Sequence, residues 1–273
     1  YYSMVTVICG SLYFDGGEES LKGLFLFDME KGNIEAGQMW ASKNLKEDKL
    51  AAKLASQYGT LGFEVASLRL PFHKIRDWVL SGGDGAVASG DLDSLGNSLL
   101  NLGWLNILQH NFEEAISCFA DARSVAEGIK YQRGVIASTQ MLSMGYYLLG
   151  AEEKAKELFQ ETLALVEEET DDRFLGNVFS NMAPLAINFG DRNLANELFK
   201  KALNSLHRSQ DFLLLAMTYT NIAFEQAKAE NFIEAIKYAD FACQLAELID
   251  SKSAVFEELQ ENKLIWKEKA SDT

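Results

Sequence analysis

The chain has 273 residues, 48% of them hydrophobic and 24% charged, with 25 Lys and Arg against 40 Asp and Glu for a formal net charge of −15. That length supports one large domain or two small ones with a core that needs no covalent staples. The acidic balance works against nucleic-acid backbones and anionic membrane surfaces as partners.

Only two prolines occur, Pro71 and Pro184, which suits long helices, because proline removes a backbone donor and clashes with the preceding turn. The chain opens Tyr1-Tyr2 without a methionine, so an excised or processed chain is expected. Residues 1–48 read as a helical junction segment. Within it, Phe27-Asp28-Met29-Glu30, Asn33-Ile34, Ala36 and Trp40-Ala41 describe an amphipathic packing helix over 19–44. Residues 49–80 read as a degenerate helix pair. Leu50, Leu54, Tyr58, Leu61 and Phe63 form the first helix, Pro71 interrupts, and Phe72, Ile75, Trp78 and Val79 form the second. Residues 81–91, with Gly82, Gly83, Gly85 and Gly90, are expected to be a flexible loop. They are not a phosphate-binding loop, since no strand precedes them and no Gly-Lys-Ser/Thr follows.

From residue 92 to 250 the chain repeats. Ala115, Ala155, Ala195 and Ala235 are spaced by 40 residues without insertion or deletion. Twelve residues before each stands a small residue: Gly103, Ser143, Ala183 and Ala223. Four residues after the first three alanines stand Phe119, Phe159 and Phe199, one helical turn along the same face. Small residues let two antiparallel helices approach, and the aromatics would fill the space between neighbouring pairs. Asn111, Gly150, Gly190-Asp191 and Asn231 mark the turns. The acidic run Glu167, Glu168, Glu169, Asp171 and Asp172 reads as a solvated interhelix turn. Residues 251–273 read as a capping helix, with Ala254, Val255, Phe256, Leu259, Leu264, Ile265 and Trp266 among Glu and Lys.

This spacing of small and aromatic residues resembles the tetratricopeptide repeat (TPR), with a 40-residue period in place of the usual 34 and therefore longer helices or turns. The resemblance implies an all-α, right-handed α-solenoid of antiparallel helix pairs. The 19–44 pattern with Trp40-Ala41 is similar to the stretch that follows the nucleotide-binding module in NB-ARC signalling ATPases of the STAND class, ahead of their TPR array. The Tyr1-Tyr2 start and the His73–Trp78 stretch are similar to that family too, while Gly37 and Gln38 depart from its apolar pattern. The resemblance implies that the parent chain carries an ATPase upstream and that this region is its sensor or regulatory arm.

In such arrays the first helix of each pair lines a concave face. The columns there hold Asn97, Asn101 and Trp104 in the first repeat, and Gln140, Met144 and Tyr147 in the second. The third contributes Asn177, Asn181 and Asn188, and the fourth Asn221, Phe224 and Lys228. Asparagine carries a donor and an acceptor and can pair with both groups of an extended peptide backbone. Met and aromatic neighbours offer adaptable apolar pockets. The competing reading is that these asparagines bond to helix backbones within the stack.

Catalytic signatures are missing. His73, His110 and His207 have no metal-ligand partner at helical spacing, and no nucleophile motif occurs. Glu113-Glu114 and Glu152-Glu153 sit where second helices begin and complement the helix dipole there. Cys9, Cys118 and Cys243 are far apart and form no CxxC pair, which suits a reducing, cytoplasmic setting rather than a disulfide or zinc framework. No apolar run reaches the roughly 18 residues of a membrane span, and no charged-then-apolar leader opens the chain. The expectation is a protein- or peptide-binding scaffold, not an enzyme, without cofactor or metal, and without nucleic-acid or membrane partners. The STAND resemblance implies an upstream ATPase of the same parent chain as a further partner. A stand-alone peptide-responsive regulator and an enzyme with an unrecognised site are the alternatives.

Overall fold

A computed structural model describes residues 1–251 and 254–271. Among these residues it holds fourteen α-helices and no strand. In chain order they are α1 (Tyr2–Asp15), α2 (Gly17–Asn44), α3 (Lys49–Thr60), α4 (Phe63–Arg69), α5 (Phe72–Ser89), α6 (Leu92–Leu108) and α7 (Phe112–Gly128). There follow α8 (Gln132–Leu148), α9 (Glu152–Leu165), α10 (Asp172–Asn188), α11 (Arg192–Ser209), α12 (Phe212–Lys228), α13 (Phe232–Leu248) and α14 (Ala254–Ser271). The chain divides into two units. Unit 1 comprises Tyr1–Tyr13 with Lys22–Glu169, and unit 2 comprises Phe14–Leu21 with Thr170–Thr273. The block expected over 92–250 is therefore shared between them. Residues 252, 253, 272 and 273, part of the expected terminal segment, lie outside the described residues.

The 40-residue period is built from two 20-residue halves. Left-handed backbone occurs at Gly90, His110, Lys130, Gly150, Gly190, Gln210, Glu230 and Asp250, each a multiple of 20 apart. The closure after α6 shows the pattern. The His110 N–H bonds to the Ile107 carbonyl at 3.0 Å and the Asn111 N–H to the Asn106 carbonyl at 2.9 Å, the paired bonds of a Schellman C-cap. The next residue then starts a new helix. Asp91, Asp171, Asp191 and Asp211 do so with a side-chain bond to the backbone N–H three residues on. One closure is missing, at Thr170. Here α9 ends early at Leu165 and the acidic run fills the gap. That run is not simply solvated: Glu169 takes both Nε and Nη2 of Arg133, at 2.7 and 2.9 Å, while Asp171 caps α10.

In unit 1, Gly103 and Ser143 bring paired helices together. A Cβ at Gly103 would collide with the Phe119 ring. Ser143 Oγ donates to the Ala155 carbonyl at 2.8 Å. Ile107, Ala115, Phe119, Leu142 and Leu158 form the core there. In unit 2, Ala195, Ala202 and Phe199 are buried along α11. Ala216, Ala223, Ala235, Ala239, Phe256, Leu259 and Trp266 make a second core, and through it α14 covers α12 and α13.

The loop expected over 81–91 is helix instead: α5 runs to Ser89, and Gly90 (φ 74°) is its left-handed cap. Gly82 and Gly85 serve close packing. A Cβ on Gly82 would lie 2.8 Å from the Cα of Gly59 on α3, and one on Gly85 would strike the Ala52 carbonyl. The first helix of the degenerate pair is also two pieces, α3 and α4, broken at Leu61 and Gly62. In α2, Phe27, Ile34 and Ala41 are buried while Trp40 is 46% exposed. This helix is tied to α4 by Asp28–Arg69 and to α5 by Glu35–Lys74 and by Gln38 Nε2 donating to Ser81 Oγ.

Candidate functional site

The helices that start each pair carry the expected binding residues, and the two units are described separately. In unit 1, Asn97 is exposed and Asn101 half-buried on α6. Trp104 and Met144 are half-buried and packed on the core around Phe119 and Leu142, so only part of each is accessible to solvent. Tyr147 is half-buried on α8. Gln140 departs from expectation. It is 1% exposed, with an Nε2 lacking a hydrogen-bond partner among the described residues. A groove contact needs an accessible side chain, so Gln140 is a core residue. Position 140 belongs to the column of Ser180 and Thr220, which are also buried.

In unit 2, Asn181 Nδ2 donates to Asn177 Oδ1 at 3.0 Å along α10. That leaves the Asn181 carbonyl oxygen as an acceptor and the Asn177 amide as a donor outside that bond. Asn221 on α12 is half-buried and Asn188 exposed. Phe224 meets Trp266 edge-on at 5.5 Å and belongs to the core surface. Lys228 is bound to Glu225 at 2.6 Å. Among the described residues, neither Asn101 nor Asn221 has a side-chain hydrogen bond, so neither stitches its helix to another within its unit.

Larger spaces lie elsewhere. Asn97 borders a cleft of about 10 Å³, room for one water. A groove of about 810 Å³ between α2 and α5 is lined by Met39, Lys43, His73, Asp77 and Asp84, above the buried Gln38–Ser81 pair. In unit 2 a cavity of about 420 Å³ lies between α11, α12 and α13. The sequence reading misses it, although a polar stripe at four-residue spacing along α11 marks its edge. Among the described residues, no three His, Cys, Asp or Glu side chains gather as a metal site would require. No helix there is long and apolar enough to cross a membrane. His207 Nε2 lies 2.9 Å from Tyr219 Oη, in an aromatic cluster with Tyr238 and Phe241.

No protein-family model matches the chain, and no curated protein is similar to it in sequence. Solved structures are similar in fold. BtubC (BKLC) from P. vanneervenii has 16% sequence identity and a TM-score of 0.55, over 83% of this chain and 93% of that one. A Rap protein, solved in complex with Competence and Sporulation Factor, has 12% identity and a TM-score of 0.54, over 92% of this chain and 76% of that one. Both are TPR-like helical-repeat proteins, and the fold here is of that kind.

Proposed function

We propose that this chain is a scaffold that binds a protein or peptide segment on the first-helix faces of its helix pairs. The observation that carries the reading is the state of the asparagines. Among the described residues, Asn101 and Asn221 are half-buried without a side-chain hydrogen-bond partner, and Asn177–Asn181 is a joined pair with one donor group and one acceptor outside that bond. Partly desolvated amides left unspent within the fold are suited to a ligand backbone. The Rap protein of similar fold, solved with a bound factor, supports the same reading. In unit 1 the contacts would come from Asn97, Asn101, Trp104, Met144 and Tyr147. In unit 2 they would come from Asn177, Asn181, Asn188, Asn221, Phe224 and Lys228. Gln140 is left out because it is buried.

The test is a heptapeptide selected against the chain from a random display library. Asn101→Ala, Asn181→Ala and Asn221→Ala should each weaken its binding several-fold or more, since an orphaned hydrogen bond costs about 1–3 kcal/mol, with little change in melting temperature. A lowered melting temperature with unchanged affinity would refute the assignment. The resemblance of the 19–44 stretch to STAND proteins adds a context, the sensor or regulatory arm of a larger ATPase. In that context the chain itself neither binds nor hydrolyses ATP, and saturable ATP binding by it would remove that context.

A further inference from the structure

The 420 Å³ cavity of unit 2 has an apolar floor and an unbalanced charged edge. Phe199 and Ile222 are both 6% exposed at its base, with half-buried Tyr238 beside them. The cavity lies where α12 packs much less closely against α11 than against α13. Along α11 the edge is formed by Arg192, Asn196, Lys200 and Asn204, all exposed and each four residues from the last. Such spacing puts them on one helix face. On the opposite wall the polar groups satisfy one another: Glu225 holds Lys228 at 2.6 Å, and Gln226 Oε1 accepts from Asn231 Nδ2 at 3.0 Å.

Arg192 and Lys200 have no such arrangement. Among the described residues no carboxylate lies within ion-pair distance of either. The other two arginines of unit 2 are both paired, Arg173 with Asp211 and Arg208 with Asp172. In a chain with a net charge of −15, these two cations at the edge of a cavity with an apolar floor are suited to an anion from outside. Their separation sets its form. Eight residues of helix place them about 12 Å apart along the axis. Four residues of extended chain span about 13 Å, and alternate side chains point the same way.

From this match we infer that the α11–α13 groove binds an extended acidic segment of another protein, with carboxylates at its first and fifth positions and an apolar side chain at its third. The carboxylates meet Arg192 and Lys200, and the apolar side chain enters the cavity over Phe199 and Tyr238. This site shares no asparagine with the faces proposed above and adjoins them at Lys228, which pairs with Glu225 on the groove wall.

The probe is the capped pentapeptide Glu-Ser-Leu-Ser-Glu, titrated into the ¹⁵N-labelled chain and followed by amide shifts. Controls are Gln-Ser-Leu-Ser-Gln, the register-shifted Glu-Glu-Ser-Leu-Ser, and a ten-nucleotide thymidine strand. The acidic peptide should give saturable shifts centred on Asn196, Lys200 and Gln226, at least tenfold tighter than either control peptide. The double variant Arg192→Gln/Lys200→Gln alters only exposed side chains and should keep its melting temperature. Its affinity for the acidic peptide should fall to that of the Gln peptide. Asn181→Ala and Asn221→Ala should leave the acidic peptide's affinity unchanged, whatever they do to the asparagine-face ligand. Equal binding of acidic and Gln peptides, full binding by the double variant, or tighter binding of the oligonucleotide through the same residues would each overturn the proposal.

Discussion

Arg173 donates through Nε to the carboxylate of Asp211 at 2.7 Å, and the other oxygen of that carboxylate accepts from the Leu214 N–H at 2.9 Å. One acid thus caps α12 and ties it to α10. Asp211 is 3% exposed, and the Arg173 guanidinium also lies 4.3 Å over the Phe14 ring. Arg133 stands 40 residues earlier and pairs with Glu169 in unit 1, two positions short of the repeat equivalent of Asp211. Removing one member of a buried, hydrogen-bonded pair leaves the other uncompensated and costs roughly 3–5 kcal/mol. Asp211→Ala should lose stability of that order in urea denaturation. Asp211→Asn, which keeps an oxygen to accept from Leu214, should lose less. Asp172→Ala breaks a more exposed pair with Arg208 and should leave the urea midpoint nearly unchanged.

The glycines of α5 give a test of their own. A Cβ at Gly83 would lie 3.6 Å from the Ser98 Cβ, an ordinary contact, whereas one at Gly82 would meet the Gly59 backbone at 2.8 Å. In a helix, Gly83→Ala should stabilise by about 0.5–1 kcal/mol, the entropy that glycine costs there. Gly82→Ala should destabilise by about 1–3 kcal/mol through overpacking. A flexible loop would leave both substitutions near neutral, so opposite signs in thermal melts distinguish the two conformations.

The aromatic column predicts a large effect from one truncation. Phe159 is 2% exposed, so Phe159→Ala should cost roughly 3–5 kcal/mol. Ile233→Ala, at a site 75% exposed, provides the surface comparison and should shift the melting temperature little. Comparable shifts for the two would show that the aromatic column is misplaced.

The repeat was legible because its anchors answer a geometric need that few residues meet. Ala115, Ala155, Ala195 and Ala235 are all 0% exposed, since only a small side chain lets paired helices touch there. The 20-residue half-period was hidden because five of its eight left-handed closures fall on His110, Lys130, Gln210, Glu230 and Asp250 rather than glycine. Schellman bonding holds those residues where composition gives no sign of it. The helix over 81–89 is hidden for the opposite reason. Glycine marks both loops and close helix contacts, and sequence alone does not say whether another helix lies 3 Å away. For the binding faces, helical spacing identified which residues share a helix face but not their depth. Spacing alone therefore does not separate Gln140 from asparagines that reach the surface, and the α11 groove depends on how closely α11 and α12 pack, which no local pattern encodes.

Burial of two titratable groups in unit 1 sets an alkaline limit on stability. Cys9 is 0% exposed, and desolvation, with smaller contributions from Asp28 and Glu30, pushes its thiol up to about 11. Desolvation pushes the Tyr58 phenol up to about 12. Unfolded, these groups ionise near their ordinary values of about 8.5 and 10. Below those values both states hold the protons, and the stability linked to them is fully present. As pH rises from about 9, the unfolded chain releases the Cys9 proton while the folded one retains it, so folding stability falls until about pH 11. Tyr58 extends the loss from about 10 to 12. The urea midpoint should therefore decline above pH 9. Cys9→Ala should flatten the lower part of that decline and Tyr58→Phe the upper part. Iodoacetamide at pH 8 should modify half-buried Cys118 before Cys9 in the folded chain. A urea midpoint in Cys9→Ala that falls between pH 9 and 11 as steeply as in the parent chain would show that the thiol is not held protonated by the fold.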